Sequence, residues 1–188
     1  MTLDEMKALP KQKQEELFQR LVEERQKAKT VSYSAVYGVG APKLARELQV
    51  SENEAKQLLS AYWDMNWSVR EVASGQFVKV LKDGSMWLKN PVSGFYHPLR
   101  YAKDRWSTTN QSTGDYVFNL WVMFLRKTGY KLSLNYHDEV LLQVPKDADK
   151  ALVEKDLKDC MNKVNDTLNL NIKVSVEVKF GDNYAAVH

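Results

Sequence analysis

Over residues 11–37, apolar side chains recur at three- and four-residue steps: Leu17, Phe18, Leu21 and Val22, then Ala28, Val31, Ala35 and Val36. That period predicts an amphipathic helix. Gly38 and Gly40 stop the pattern, and Pro42 opens a short helix over 42–48. Ser51 three residues ahead of Glu54 is a capping-box signature, predicting a helix that runs to about Ser74 with Gly75 after its last turn. The period then changes. Phe77, Val78, Val80 and Leu81 lead into Asp83-Gly84, a two-residue hairpin signal, and Met86, Trp87 and Leu88 read as the return strand. Asn90-Pro91 and Ser93-Gly94 are turn chemistry before an extended piece at 95–99. Helix returns over 104–127, with Tyr116, Leu120, Met123 and Phe124 on one stripe.

The last third holds the clearest alternation. Residues 131–136 and 139–144 each alternate and flank His137-Asp138, which predicts a hairpin ended by Pro145. Residues 147–166 form an amphipathic helix on Ala151, Leu152, Leu157, Met161 and Val164. A final strand is expected at 172–180, where Ile172, Val174, Val176, Val178 and Phe180 alternate. Helices come first and strands later, so the predicted class is α+β. Three stretches are expected: a helical segment at 1–74, a β-hairpin region at 75–103, and a segment at 104–188 built on the second hairpin and the C-terminal strand.

Composition narrows the function classes. The 188 residues are 44% hydrophobic and 27% charged, ordinary for a globular chain and too apolar for a disordered one. The net charge of +3 permits a nucleic-acid partner without demanding one. The single cysteine, Cys160, excludes an internal disulfide framework and a zinc site of paired thiolates. The N-terminus has no apolar core and is no secretory signal. The most apolar stretch, residues 117–125, is far short of the ~20 residues that span a bilayer. The expectation is a soluble protein of a reducing compartment, with no membrane partner. Five Trp and nine Tyr point to large packed faces or to a surface that stacks on flat ligands.

Two groups of residues carry candidate chemistry. Arg25, Lys29, Tyr33 and Tyr37 recur every four residues and so follow one side of the first helix. From Arg25 to Tyr33 the axis rises roughly 12 Å, about the reach of a nucleotide from phosphates to base. Two cations can meet polyphosphate oxygens, arginine as a planar fork and lysine as a point charge, while an aromatic face meets the base or sugar. The same spacing equally describes an amphipathic helix with a solvated basic face and core tyrosines. At the tip of the second hairpin, Asp138 is well placed for a carboxylate that holds Mg²⁺ in octahedral oxygen geometry. Glu139 adds a second oxygen ligand or an acceptor, and His137 can donate to a phosphate or sugar. An Asp in a tight hairpin is also simply good turn chemistry.

These groups resemble motifs of the family A DNA polymerases. Arg25-Gln-Lys-Ala-Lys29-Thr-Val-Ser-Tyr33-Ser-Ala-Val-Tyr37-Gly38 is similar to the family's fingers-helix motif, with Ser34 where the family usually has Gly. The resemblance implies that Arg25 and Lys29 bind the incoming triphosphate, that Tyr33 stacks on the nucleotide, and that Tyr37 closes against the templating base. Tyr rather than Phe at position 33 resembles the phage subgroup and implies tolerance of dideoxynucleotides. His137-Asp138-Glu139 resembles the palm motif, whose Asp binds both catalytic metals and whose His approaches the primer terminus. Between them, the segment Trp106 to Gly114 is similar to the family's minor-groove segment, with Gln111 at the family's Gln and Ser107 where Asn is usual. Gly181-Asp-Asn-Tyr184 through His188 resembles the ending of phage polymerases. The resemblance runs from about residue 15 nearly to the end.

The resemblance implies the helical fingers followed by part of an antiparallel palm sheet with flanking helices. It assigns Asp138, Glu139 and Lys29 to catalysis, Arg25, Lys29, Tyr33 and Tyr37 to nucleotide binding, His137, Gln111, Ser107 and Lys103 to DNA, and Asp138 to Mg²⁺. Two-metal phosphoryl transfer needs more than one aspartate. The family's upstream strand, of the form Asp-Tyr-Ser, two residues, Glu-Leu-Arg, is not found: the sequences after Asp64, Asp104 and Asp115 do not fit. The expectation is therefore the C-terminal portion of a split, phage-like polymerase in the host cytoplasm, with Met1 as a natural start. Its partners are primer-template DNA, dNTPs and an N-terminal polypeptide with the thumb, the first palm aspartate and the exonuclease region. The chain alone is expected to be inactive. The alternatives are a non-catalytic DNA-binding or regulatory remnant, and an unrelated α+β nucleic-acid-binding module.

Overall fold

A computed structural model describes residue 5 and residues 7–187. Met1 and His188, which entered the reading above, lie outside the described residues. The chain packs as two compact units, Met1–Lys89 with Tyr96–Thr108, and Asn90–Phe95 with Thr109–His188. The class is α+β, with two small antiparallel sheets.

The first unit begins with helix α1 (Lys11–Val36). Despite its apolar stripe, α1 buries only Ser34 and Ala35, while Phe18, Leu21 and Val22 stay exposed. It ends as a Schellman motif: Gly38 N–H donates to Ala35 O and Val39 N–H to Ser34 O. That closure needs a left-handed residue, and Gly38 supplies it at φ +65°. Helices α2 (Ala41–Leu48) and α3 (Glu52–Met65) pack together on Leu44, Ala45 and Ala55, with Val31, Leu48 and Leu59 against them. Ser51 caps α3 by accepting from Glu54 N–H, as its signature predicts. The expected single helix to Ser74 is broken at Asn66, and α4 (Trp67–Ser74) restarts after it. The Asn66 side-chain amide and backbone N–H both donate to Tyr62 O, a local bond that competes with helix continuation.

Strands β1 (Val78–Val80), β2 (Met86–Lys89) and β3 (Tyr96–Leu99) form an antiparallel sheet in that order. The β1–β2 turn is not the expected two-residue Asp83-Gly84 loop. Leu81 N–H bonds Ser85 O and Gly84 N–H bonds Leu81 O, so residues 82–84 form a three-residue loop with Gly84 at φ +82°.

A 3₁₀ turn at Ala102–Asp104 leads into α5 (Arg105–Leu125). Its buried positions are Thr109, Trp121, Val122 and Leu125; Met123, expected on the packed stripe, is exposed. Strands β4 (Lys131–Tyr136) and β5 (Glu139–Gln143) pair as the alternation predicts, with Tyr136 opposite Glu139 and an irregularity between Leu132 and Leu134. Helix α6 (Lys150–Thr167) starts three residues later than predicted, because Asp149 caps it by accepting from Ala151 and Leu152 N–H. It buries Val153, Leu157, Cys160, Met161 and Val164, while Leu152 is exposed. These side chains and Trp121 and Leu125 of α5 make the core of the second unit, covered by Leu132, Val140 and Leu142 of the hairpin.

The expected strand at 172–180 belongs to no ladder among the described residues. Val176, Val178 and Phe180 pack on the α6 core, so the alternation is real. Its backbone is instead tied at one point: Asn165 donates to Val174 O and accepts from Val174 N–H, at 2.8 and 2.9 Å. Alternation requires only one buried side; a ladder also requires a neighbouring backbone in register.

Candidate functional site

The predicted site residues fall into groups that lie in separate units. In the first, Arg25, Lys29 and Tyr33 stand on the last turns of α1, and Tyr37 caps its end with backbone φ −87° and ψ 6°. Four-residue spacing puts them along one side. Arg25, Lys29, Tyr33 and Tyr37 are all exposed. Among the described residues, neither Arg25 nor Lys29 has a carboxylate partner, although Lys27, two positions from each, pairs with Glu24. Lys29 Nζ lies 5.6 Å from the Tyr33 ring centroid, the range in which a cation and a π face attract. A cation row beside an accessible aromatic ring, free of competing carboxylates, suits a polyanion that carries a flat group. The tyrosines are therefore open, as are Phe18, Leu21 and Val22 earlier on the same helix.

Ser34, which follows Tyr33 and departs from the family pattern, is buried at 5% exposure, turned about 100° around the helix from Tyr33. Its change from Gly is thus accommodated inside the first unit. The C-terminal carbonyls of α1 carry the negative end of the helix dipole, and Lys103 meets them: its Nζ donates to Gly38 O at 3.2 Å. Lys103 Nζ also sits 5.9 Å from the Tyr101 ring. A Cβ added at Gly38 would approach the Lys103 Cδ to 3.1 Å. In this structure Lys103, expected at DNA, holds the C-terminal end of α1.

Ser107 and Gln111 both lie within α5, not ahead of it. The helix starts at Arg105, since Asp104 and Tyr101 close the preceding 3₁₀ turn through Tyr101 N–H to Asp104 Oδ2 and Asp104 N–H to Tyr101 O. Ser107 Oγ donates back to Asp104 O at 3.1 Å. Gln111 is exposed.

Sequence reasoning took Asn90 only as a turn residue. It is fully buried, and every polar atom of its side chain is used. Its amide donates to Thr109 O, Ser112 Oγ and Thr113 Oγ1, and its carbonyl oxygen accepts from Val92 and Ser93 N–H. The residues it holds flank Gln111 on both sides. The Asn-Pro pair signals the turn, but no local pattern signals the long-range bonds.

In the second unit, His137 and Asp138 are the two residues of the β4–β5 turn, both exposed. His137 takes φ +53°, a left-handed conformation that costs a non-glycine residue roughly 1 kcal/mol or more. Such strain persists where the surroundings over-determine it, here a turn of only two residues between paired strands. The Tyr136 and His137 rings meet edge-on at 4.4 Å between centroids. Glu139 is half-buried, and Tyr184 of the C-terminal segment donates to its Oε1 at 3.2 Å. Desolvation, then that hydrogen bond, holds the Tyr184 phenol proton above its usual range. Tyr184 is a partner of the tip that the hairpin pattern alone does not reveal.

Among the described residues no group of three or more His, Cys, Asp or Glu side chains is gathered to hold a metal ion. A hard divalent cation takes about six oxygen ligands. The donors here are one exposed carboxylate, Asp138, and a neighbouring carboxylate already accepting from Tyr184, so this chain's residues do not by themselves fit Mg²⁺. No helix of the described residues is long and apolar enough to cross a membrane.

Comparison with known proteins agrees with the motif resemblance. Residues 8–86 match the sequence model of DNA polymerase family A. The chain is 26% identical to DNA polymerase I A, chloroplastic/mitochondrial, of Arabidopsis thaliana, over 87% of this chain and 17% of that protein. It is also 26% identical to the thermostable DNA polymerase I of Thermus aquaticus, over 85% of this chain and 20% of that protein. The POL domain of Pol1 from M. smegmatis, solved in complex with DNA primer-template and dNTP, superposes with a TM-score of 0.63 at 20% identity, over 82% of this chain and 29% of that one. This chain thus spans about a fifth of the length of the curated relatives it matches. Residues 8–86 thus match the DNA polymerase family A model, and the chain shares the α+β fold of a solved polymerase domain.

Proposed function

We propose that this chain forms the fingers and part of the palm of a DNA-directed DNA polymerase, adding dNTPs to a primer 3′-OH under the direction of a template. The observation that carries the reading is the exposed row on α1: Arg25 and Lys29 without carboxylate partners among the described residues, with Lys29 beside the open Tyr33 ring. Phosphoryl transfer of this kind rests on positioning and charge stabilisation more than on covalent chemistry. Arg25 and Lys29 neutralise the triphosphate, Tyr33 stacks on the nucleotide, and Tyr37 meets the templating base. His137, Gln111, Ser107 and Lys103 face the primer-template, Lys103 after release from Gly38 or while holding it. The strained tip presents Asp138 at a fixed point, with Glu139 oriented by Tyr184.

Mg²⁺, when bound, supplies Lewis-acid polarisation and charge neutralisation at the reacting phosphate. Asp138 is one ligand, and the remaining oxygens come from an N-terminal polypeptide with the upstream palm aspartate. The domain reading follows: 1–74 as fingers, 75–103 as a fingers/palm hairpin region, and 104–188 as palm. The setting is a phage-like split polymerase working in DNA replication in the host cytoplasm.

Equilibrium binding of Mg-dNTP to the whole chain tests the nucleotide half. Lys29→Ala is expected to weaken it about tenfold or more, the size of one lost charge-assisted contact. Primer extension tests the whole. The chain alone gives none, an N-terminal polypeptide carrying the upstream aspartate restores it, and Asp138→Ala in the mixture abolishes it. Unchanged nucleotide affinity in Lys29→Ala, or extension by the isolated chain, would overturn the corresponding part.

A further inference from the structure

The β1–β2–β3 sheet has two unlike faces. Directly opposed residues share a face, so the register puts Val78, Leu88 and His97 together with Val80, Met86 and Leu99. That side carries the fully buried Leu88 and the buried Leu99. The other side is two rows across the three strands. Phe77 lies against Lys89, whose N–H donates to Phe77 O at 3.0 Å, and Lys89 is opposite Tyr96. In the second row Lys79 opposes Trp87, and Trp87 opposes Pro98. Arg100 follows in a bend just past the end of β3. The strands give this face two cations, Lys79 and Lys89, and the Asp83 carboxylate borders it from the turn, where it accepts from Ser85 N–H and Oγ.

Its aromatic side chains are accessible. Phe77 is 59% and Tyr96 47% exposed, and Lys79, Lys89 and Arg100 are exposed as well. Trp87 is half-buried and its ring is held: the indole N–H donates to Ser85 Oγ at 3.3 Å, and that hydroxyl donates to Asp83 at 2.7 Å. Trp87 and Tyr96 are diagonal neighbours, roughly 7–8 Å apart in an antiparallel pair. Flat rings at fixed spacing, each beside a cation, match a chain of flat bases on a repeating anionic backbone. A paired duplex buries its base faces and offers such a surface only phosphates.

We propose that this face is a stacking platform for single-stranded DNA, with bases on Trp87 and Tyr96 and phosphates against Lys79, Lys89 and Arg100. It is a surface distinct from the residues assigned above to nucleotide, primer and metal. The choice of DNA as the strand rests on the polymerase reading; the choice of a single strand rests on the sheet.

The test is fluorescence polarisation of a labelled oligo(dT) with the whole chain, together with quenching of tryptophan fluorescence. Oligo(dT) is expected to bind more tightly than a fully paired duplex of equal length, with quenching of Trp87. Tyr96→Leu, an exposed position that leaves the buried face intact, should weaken it about tenfold. Lys89→Ala should lower the salt slope of the binding constant by about 0.7. Wild-type oligo(dT) affinity in Tyr96→Leu overturns the proposal. Tighter binding of oligo(rU) overturns the choice of DNA. Because Lys29→Ala reports on Mg-dNTP and Tyr96→Leu on the strand, a failure here with nucleotide binding intact sinks the platform alone. Lost nucleotide binding with strand binding intact sinks the nucleotide reading alone.

Discussion

Helices α1 and α6 carry comparable apolar periodicity in sequence and do opposite things with it. The 26 residues of α1 bury two, Ser34 and Ala35, both in the last turn. The 18 residues of α6 bury six, from Val153 to Asn165. The difference maps onto the chemistry proposed for each. The α6 core backs the β4–β5 hairpin, where a two-residue turn must keep His137 in a strained conformation and Asp138 in one place. That demands a rigid base. The row proposed to take a nucleotide lies on α1, which among the described residues packs on its unit near its C-terminal end, through the Gly38 closure, Lys103 and Val31. A helix anchored at one end can swing about that end, and closure over a bound nucleotide is the motion such an anchor allows.

The sharpest way to break this contrast is a pair of truncations. Leu157→Ala removes a 6%-exposed side chain from the α6 core and is expected to cost about 2–5 kcal/mol in urea unfolding. Leu21→Ala, half-exposed on α1, is expected to stay within about 0.5 kcal/mol. Equal costs would show that α1 is packed as firmly as α6. Next in size is Asn90→Ala, which takes from the Val92 and Ser93 N–H groups the side-chain acceptor they share. About 1–3 kcal/mol should be lost, measured by the same unfolding, with the second unit destabilised. Retention of full stability would mean that water or the turn itself satisfies those groups.

The smallest effect sharpens the rigid side and depends on pH. Tyr130 donates its hydroxyl proton to Asp156 of α6 at 2.6 Å. That bond, then desolvation and the Asp156 charge, pushes the Tyr130 pKa from 10.0 up to about 12. The folded state therefore keeps a proton that the unfolded state gives up. The contribution is fully present below pH 10 and is lost as pH rises through about 12. Comparing wild type with Tyr130→Phe at pH 8 and again above pH 11, the stability gap between them should shrink in urea midpoints. A gap that stays constant would place no hydrogen bond at this pair.

Much of the local structure could be read from the chain. The turn at His137-Asp138 follows from two alternating runs separated by two residues, because the side-chain period of a strand leaves one register that keeps both apolar faces together. Gly38 could be read as a helix stop because few other residues take the left-handed turn. The cap at Ser51 is equally local. The misreadings share one cause. Met123 and Leu152 fit their apolar stripes and are exposed, while Val153 and Cys160 are buried. Periodicity says which side of a helix is apolar; the partner helix decides where along that side the contact falls. Buried among α6 neighbours, the Cys160 thiol is pushed up in pKa by desolvation and is a packing residue. Residues 172–180 alternate like a strand and pack like one, yet their backbone is met only by Asn165.

By itself the sequence determined the order of helices and strands, the chemistry of the two candidate groups and their family resemblance, because spacing and residue type are local properties of a chain. Only the tertiary structure decided that the α1 tyrosines are open while Ser34 is enclosed, that Asn90 binds the residues around Gln111, that Tyr184 engages Glu139, and that two lysines and the aromatic rings share one sheet face. Those are relations between residues far apart in the chain, and burial and register, which no window of sequence contains, set them.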